Sequence, residues 1–247
     1  MPLLVRSWNV FHGNAEQPER DGFLEEMIRL AVADRPDVLC LQEVPAWAGP
    51  RLGPFPLTAE LGGRLTRLNN GVFRSLFAGQ ANAILLRPGI EVVEHRTIVL
   101  NSRSFRALQA RELVLDLVTR LAWAKERRIC QVVRTTEVVV ANLHATSSRD
   151  HRVPDVELLR AATFADGLAQ PGETVVLAGD FNVRPEESQT LRELTGTEWG
   201  FSAGGPWIDH LLVRDGAASP VAVWPEERRR VDGRLLSDHA PVEAIVS

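Results

Sequence analysis

A chain of 247 residues, 45% hydrophobic and 24% charged, has the proportions of a soluble globular protein, and its length suits one large domain better than two small ones. No apolar run approaches the ~20 residues of a membrane span, residues 1–6 lead into a strand pattern instead of a signal peptide, and Cys40 and Cys130 form no C-x-x-C pair. These features exclude an integral membrane protein, a zinc ribbon and a disulfide framework, and the net charge of −4 argues against a surface that grips nucleic acid all over; a monomer in a reducing, cytoplasmic setting is expected.

In chain order, Leu3 to Val10 reads as a short buried strand that breaks at Gly13-Asn14. Apolar residues then recur at helical spacing within Glu16–Asp34, with acids early, as a helix N-terminus prefers, and Pro36 ends the run. Asp37–Glu43 is a second buried strand, so strand, helix and strand form an α/β unit. Pro45–Pro56 is rich in Gly and Pro and reads as loop. Ala81–Leu86 and Ile90–Val99 read as a strand pair turning at Pro88-Gly89. Leu108, Leu113, Leu115, Leu117, Leu121 and Trp123 suit a helix across Arg106–Glu126 better than a strand. Ile129–Val133 and Val138–His144 form a hairpin across Thr135-Thr136, and Asp155–Leu168 is an amphipathic helix. Thr174–Leu177, Trp207–Val213 and Val221–Trp224 read as buried strands, and Ala240–Val246 is the last strand.

Polar residues interrupt these strands at their ends. Asn9, Glu43, His144 and Asp180-Phe181-Asn182 each close a hydrophobic run, whereas Asp238-His239 opens one. If the last strand is antiparallel to a neighbour, all of these groups converge on one rim. Buried singly, such carboxylates and imidazoles would be costly, so together they point to a cleft or a metal. Taken alone, Asn9 reads as a turn residue, Glu43 as a solvated strand end and His144 as either a structural histidine or a phosphate contact. Gly179-Asp180-Phe181-Asn182 and Ser237-Asp238-His239 are more specific. Asp209 is odd as plain structure, because it puts an acid in the middle of an apolar strand.

The ordered set Ser7-Trp8-Asn9, Leu41-Gln42-Glu43, Asn142-Leu143-His144, Gly179-Asp180-Phe181-Asn182, Ile208-Asp209 and Ser237-Asp238-His239 resembles the endonuclease/exonuclease/phosphatase superfamily, as does Asn82 in Asn-Ala-Ile-Leu. That group includes DNase I-like nucleases, apurinic endonucleases, inositol polyphosphate phosphatases and neutral sphingomyelinases. The resemblance implies a four-layer α-β-β-α sandwich with two packed mixed sheets, and residues 1–247 as a single catalytic domain. The chain departs from the apurinic endonucleases, which use a tyrosine near the phosphate, because it contains no tyrosine. Residues 101–126 resemble nothing placed in the family.

Oxygen ligands without sulfur suit Mg²⁺ or Mn²⁺, with Glu43 as the first ligand and Asn9 and Asp238 around it. Asp180 would orient or deprotonate a water, and Asn182 would hydrogen-bond the phosphate or that water. His239, held by Asp209, would act as base or charged phosphate ligand, and His144 would contact another phosphate oxygen or protonate the leaving group. The expected activity is metal-dependent phosphoester hydrolysis, first as a nuclease on DNA or RNA. The alternatives are a phosphatase or phosphodiesterase acting on a small molecule or lipid head group, and a binding protein that uses the same cleft without catalysis. For polynucleotide, Arg64, Arg67 and Arg74 with Asn69-Asn70 are candidate backbone contacts. Against lipid, the sequence shows no protruding apolar hairpin and no basic amphipathic helix, although Trp47 and Phe55 could form an apolar lip. The patterns G-x-S-x-G and H-E-x-x-H are missing, which excludes the corresponding hydrolases.

Overall fold

A computed structural model describes residues 1–16, 22–45 and 80–247. Strands β1 (Leu3–Asn9), β2 (Val38–Pro45) and β3 (Gln80–Leu86) join the short edge strand β10 (Ala222–Val223) and β13 (Val242–Val246) in a sheet of order β10-β13-β1-β2-β3. The second sheet has the order β4-β5-β6-β7-β9-β8. Its members are β4 (Val92–Val99), β5 (Ile129–Thr135), β6 (Val139–His144), β7 (Val175–Asp180), β8 (Ser202–Gly204) and β9 (Asp209–Arg214). Both sheets are mixed: β1–β2 and β6–β7 are parallel, while the other pairs are antiparallel. A two-stranded ribbon, β11 (Arg230–Val231) and β12 (Arg234–Leu235), stands apart.

The alternation of side chains along each strand builds the layers. Leu3, Val5, Val38, Cys40, Ile84 and Ala244 meet Val140, Val176, Ala178, Leu211 and Val213 between the sheets. Residues of opposite parity face outward. Trp8, Leu39, Leu41 and Leu85 pack under helix α1 (Leu24–Val32), and Ala141, Leu143 and Leu177 under α4 (Arg152–Asp166). This is the expected four-layer sandwich. Its centre also holds polar struts: Gln42 Nε2 donates to Ser7 Oγ at 3.0 Å and to Asn142 Oδ1 at 2.8 Å, and Asn142 Nδ2 donates to the carbonyls of Leu41 and Ala83. Unpaired, each buried group would cost about 1–3 kcal/mol, so the struts define how the sheets face each other. Among the described residues no helix is long and apolar enough to cross a membrane.

Several expectations are corrected. The strands on either side of Pro88-Gly89 do not pair. β3 pairs with β2 and β4 with β5, so the turn carries the chain from one sheet to the other, with Ile90 buried between them. The helix expected from Glu16 begins only at Leu24, because Ala15 and Glu16 bond to the backbone of Leu235 and Leu236. Val221–Trp224 is not a buried strand: β10 is an exposed edge of two residues. Arg106–Glu126 is not one helix but two, α2 (Arg103–Glu112) and α3 (Leu117–Lys125), broken where Val114 adopts φ 52° and Asp116 caps α3 by accepting from Thr119 N at 2.7 Å. Leu108, Leu117 and Leu121 are exposed on this pair, so the chain presents apolar side chains on a helical hairpin that the sequence reading did not expect. Trp47, Phe55, Arg64, Arg67, Asn69, Asn70 and Arg74 lie outside the described residues.

Candidate active site

The site forms where inward-facing positions run out at one end of the sandwich. His144, Asp180 and Asp209 lie side by side, directly paired across β6, β7 and β9. Asp209 thus opens β9 instead of sitting mid-strand, and because β9 is antiparallel its start meets the ends of the other two. β13 is antiparallel to β1, which brings Asp238 and His239 to the end of β1 beside Asn9.

Glu43 reaches the same rim by a different device. Strand alternation from Gln42, which faces inward, would turn Glu43 outward. A bulge between Leu41 and Val44, with Glu43 at φ 54°, inserts an extra residue and returns the carboxylate to the interior. Phe11, His12, Asn182 and Ser237 also adopt positive φ, so unfavourable backbone is concentrated at this rim. Gly179 answers a different need: a Cβ there would lie 1.9 Å from the Leu143 carbonyl oxygen of the neighbouring strand.

Asn9 Nδ2 donates to Asp180 Oδ2 at 3.0 Å and toward Glu43 Oε1 at 3.4 Å, while its Oδ1 accepts from Phe11 N. As placed, Asn9 spaces two carboxylates. Asp180 also accepts from Asn182 N at 2.9 Å, and Asn182 Nδ2 donates to the Ala145 carbonyl, tying the loop after β7 to the loop after β6. Burial and the neighbouring Asp209 push the Asp180 carboxyl well above the usual carboxylate range. His239 Nδ1 lies 2.7 Å from Asp209 Oδ2, and its Nε2 lies 3.8 Å from Asp180 Oδ2. Burial opposes its charge, but the hydrogen bond and the charge of Asp209 outweigh burial and raise it, so His239 is an imidazolium at neutral pH. One potential ligand atom from each of Asp180, Asp209 and His239 lies within 4.8 Å of the others. The imidazolium already offsets part of the negative charge of that cluster.

Glu43 differs. Burial favours its neutral form, yet a 3.0 Å contact from His12 Nε2 and nearby positive charge hold it below the usual carboxylate range. His12 supplies that charge together with Arg128, since burial and Arg128 hold His144 well below the ordinary imidazole range. Asp238, 45% exposed, is raised by burial and by repulsion from Glu43, against the pull of His239. A permanently ionised Glu43 beside a second acid, with oxygen donors and no thiolate among the described residues of the site, suits a hard divalent cation.

Three residues at the site have no recognisable sequence signal. His12 stands three residues after Asn9 on a short turn, Phe11–Gly13, and contacts Glu43. Arg128 Nη1 lies 3.0 Å from both ring nitrogens of His144, and its Nη2 lies 2.5 Å from Glu126 Oε2. Arg229, buried within Arg228-Arg229-Arg230, donates Nη1 to the carbonyls of Leu236, Ser237 and His239, and Trp8 Nε1 also donates to His239 O. These bonds shape the turn that presents His239, while Ser237 Oγ donates to Asn9 O at 2.6 Å. At the rim, the Arg184 guanidinium lies 5.1 Å from the ring centre of Trp207, which is 68% exposed. Buried His210 bonds to the backbone of Val183 and Trp207, joining the two loops on which these side chains stand.

Among solved structures, the fold is similar to that of TDP2 from Caenorhabditis elegans, with 20% identity over 100% of this chain and 75% of that one and a TM-score of 0.63. It is also similar to an endonuclease/exonuclease/phosphatase from Bacteroides vulgatus, with 16% identity over 100% and 99% of the two chains and a TM-score of 0.68. A mannosyl-6-phosphatase of Bacteroides thetaiotaomicron has 16% identity over 99% of each chain and a TM-score of 0.66. At these identities the likeness is one of fold. No curated protein sequence matches the chain. The sequence model of the Endonuclease/Exonuclease/phosphatase family matches residues 7–239, nearly the whole span that carries the site. The chain belongs to this family, which is named for hydrolases of phosphoester bonds.

Proposed function

We propose that the protein is a metal-assisted phosphodiesterase in which Asp180, Asp209 and His239 activate water and bind the phosphoryl group. The observation that carries this reading is the in-register row His144–Asp180–Asp209, closed by the 2.7 Å contact of His239 with Asp209. Asp180 is the water-facing base, because a carboxylate raised toward neutrality takes a proton far better than an ordinary one. His239, kept positive by Asp209, receives a phosphoryl oxygen through Nε2. His144 stays neutral and accepts from Arg128, so it is a hydrogen-bond ligand and Arg128 is the second fixed positive charge facing the phosphate. Asn182 and Asn9 position Asp180. Glu43, with Asp238 near it, would hold Mg²⁺ or Mn²⁺, which when bound polarises a phosphoryl oxygen and offsets charge on the leaving oxygen, whereas the Asn9 Oδ1 expected as a ligand is taken by Phe11 N.

A polynucleotide is the first substrate reading, supported by the exposed Trp207 ring and the Arg184 cation two residues outside Asp209 and Asn182, a stacking face beside a phosphate contact. The spread of site residues from Asn9 to His239 supports residues 1–247 acting as one monomeric catalytic domain, and two buried unpaired thiols, Cys40 and Cys130, support a cytoplasmic setting. Bis-p-nitrophenyl phosphate and plasmid DNA, each with Mg²⁺ or Mn²⁺ and with EDTA, test the reading. Hydrolysis should stop in EDTA, and Asp180→Asn or His239→Ala should slow it ~10²–10⁴-fold. A loss below about tenfold for either variant refutes the assigned roles.

A further inference from the structure

Helices α2 and α3, inserted between β4 and β5, have two unlike faces. Ala110, Leu115 and Trp123 are buried against Val153 of α4, with Phe105, Leu113 and Val156 packed around them. Val114, Leu117, Val118 and Leu121 follow at helical spacing on the other side, and they are 84%, 66%, 77% and 63% exposed. With Leu108 they make up half of the large hydrophobic side chains exposed among the described residues. Val114 adds a second oddity, since a β-branched residue at φ 52° is a costly choice for a turn that Gly or Asn would make freely.

The hairpin that carries this stripe is rich in basic residues. Arg103, Arg106, Arg111, Arg120, Lys125 and Arg127 stand against Glu112, Asp116 and Glu126, in a chain whose net charge is −4. All three acids are engaged: Glu112 accepts from Gln109, Asp116 caps α3 and Glu126 pairs with Arg128. Between the helices lies a cleft of about 280 Å³ whose walls combine Arg103, Arg106 and Arg120 with Leu117 and Leu121.

We propose that the α2–α3 hairpin is a docking surface for an anionic lipid bilayer, with the Val114–Leu121 stripe entering the head-group boundary and the arginines meeting lipid phosphates. A polynucleotide would satisfy the arginines and leave the aliphatic stripe in water. A second copy of the chain would need roughly 800 Å² from each partner, more than five aliphatic side chains expose. The base of the hairpin is tied to the site. Asn101 Nδ2 donates to the carbonyls of Trp123 and Glu126, its Oδ1 accepts from Arg128 N at 2.8 Å, and Arg128 contacts His144. Docking would therefore hold the active-site rim close to the membrane surface. The inference does not depend on the chemistry of the site.

Flotation of the full chain with phosphatidylcholine vesicles, with and without about 30% phosphatidylglycerol, tests it. Binding should be at least roughly tenfold tighter to the anionic vesicles and should weaken at about 0.5 M salt. The Leu117→Asp/Val118→Asp variant should lose vesicle binding while keeping the wild-type circular dichroism and the wild-type rate on soluble bis-p-nitrophenyl phosphate. Failure of the wild type to float with anionic vesicles overturns the proposal, as does equal flotation of the variant. Self-association that the variant abolishes, or retention on DNA without vesicle binding, assigns the face to another occupant and overturns it too. If the vesicle result holds while no phosphoester is cleaved, the docking surface stands and the proposed function fails.

Discussion

Glu157 on α4 is fully buried, and three donors converge on its carboxylate. Trp123 Nε1 lies 2.5 Å and Thr146 Oγ1 2.8 Å from Oε1, and Thr146 N lies 2.6 Å from Oε2. One side chain thus joins α3, α4 and the loop two residues beyond His144. Glu157→Gln keeps the shape and both bonds to Oε1 but turns an amide N–H₂ against the Thr146 N–H, so one bond is lost and a buried donor is orphaned. The expected cost is about 1–3 kcal/mol. Glu157→Ala strips all three donors of their acceptor. The Thr146 hydroxyl can rotate away, whereas the indole and backbone N–H groups cannot, so the cost is about 2–6 kcal/mol before the cavity is counted. Urea unfolding followed by circular dichroism should rank wild type above Gln and Gln above Ala, with an unchanged denaturant slope. If Gln stays within about 0.5 kcal/mol of wild type, the range of a neutral surface change, or if Ala is no worse than Gln, the carboxylate does not serve these donors as described.

Two further outcomes are expected from the structure. Gly179→Ala, at φ 143° and with a Cβ 1.9 Å from the Leu143 oxygen, forces β6 and β7 apart, so soluble yield or melting temperature should collapse; a wild-type melting curve would show that the strands can separate cheaply. The hydrogen bond from Arg6 draws the Asp34 carboxyl from 3.8 to about 2, and because a lowered folded-state pKa stabilises only when the group is ionised, the contribution is complete above pH 3.8 and disappears as pH falls through 2. The melting-temperature gap between wild type and Asp34→Asn should therefore be small but constant from pH 5 to 7, given the 41% exposure of Asp34, and should close toward pH 2; a gap that widens in acid contradicts the assignment.

Much of the architecture was legible in the sequence because strands covered on both faces read as short apolar runs that end where polar residues begin. β1, β5, β6 and β13 are where those apolar runs place them. The convergence of Asn9, His144, Asp180 and His239 at one rim required one further condition, an antiparallel last strand, which holds. Errors arose where local pattern and partner choice separate. Pro88-Gly89 announces a reversal, but only pairing with β5 decides which sheet receives β4. Arg106–Glu126 has helical apolar spacing, but which apolar residues are covered depends on α4, and Leu108, Leu117 and Leu121 are left on the surface.

Residue identities in order from Asn9 to His239 determined, without coordinates, the family, the four-layer sandwich and the set of polar groups at the strand ends. Tertiary structure decided how those groups act. The bulge that turns Glu43 inward, the approach of His12 and Arg128, the burial that raises Asp180 and lowers His144, and the Asp209 contact that raises His239 against its burial all arise from long-range packing. A side chain's type is local, whereas its charge state and direction depend on neighbours as far away in the chain as Asn9 is from Asp180.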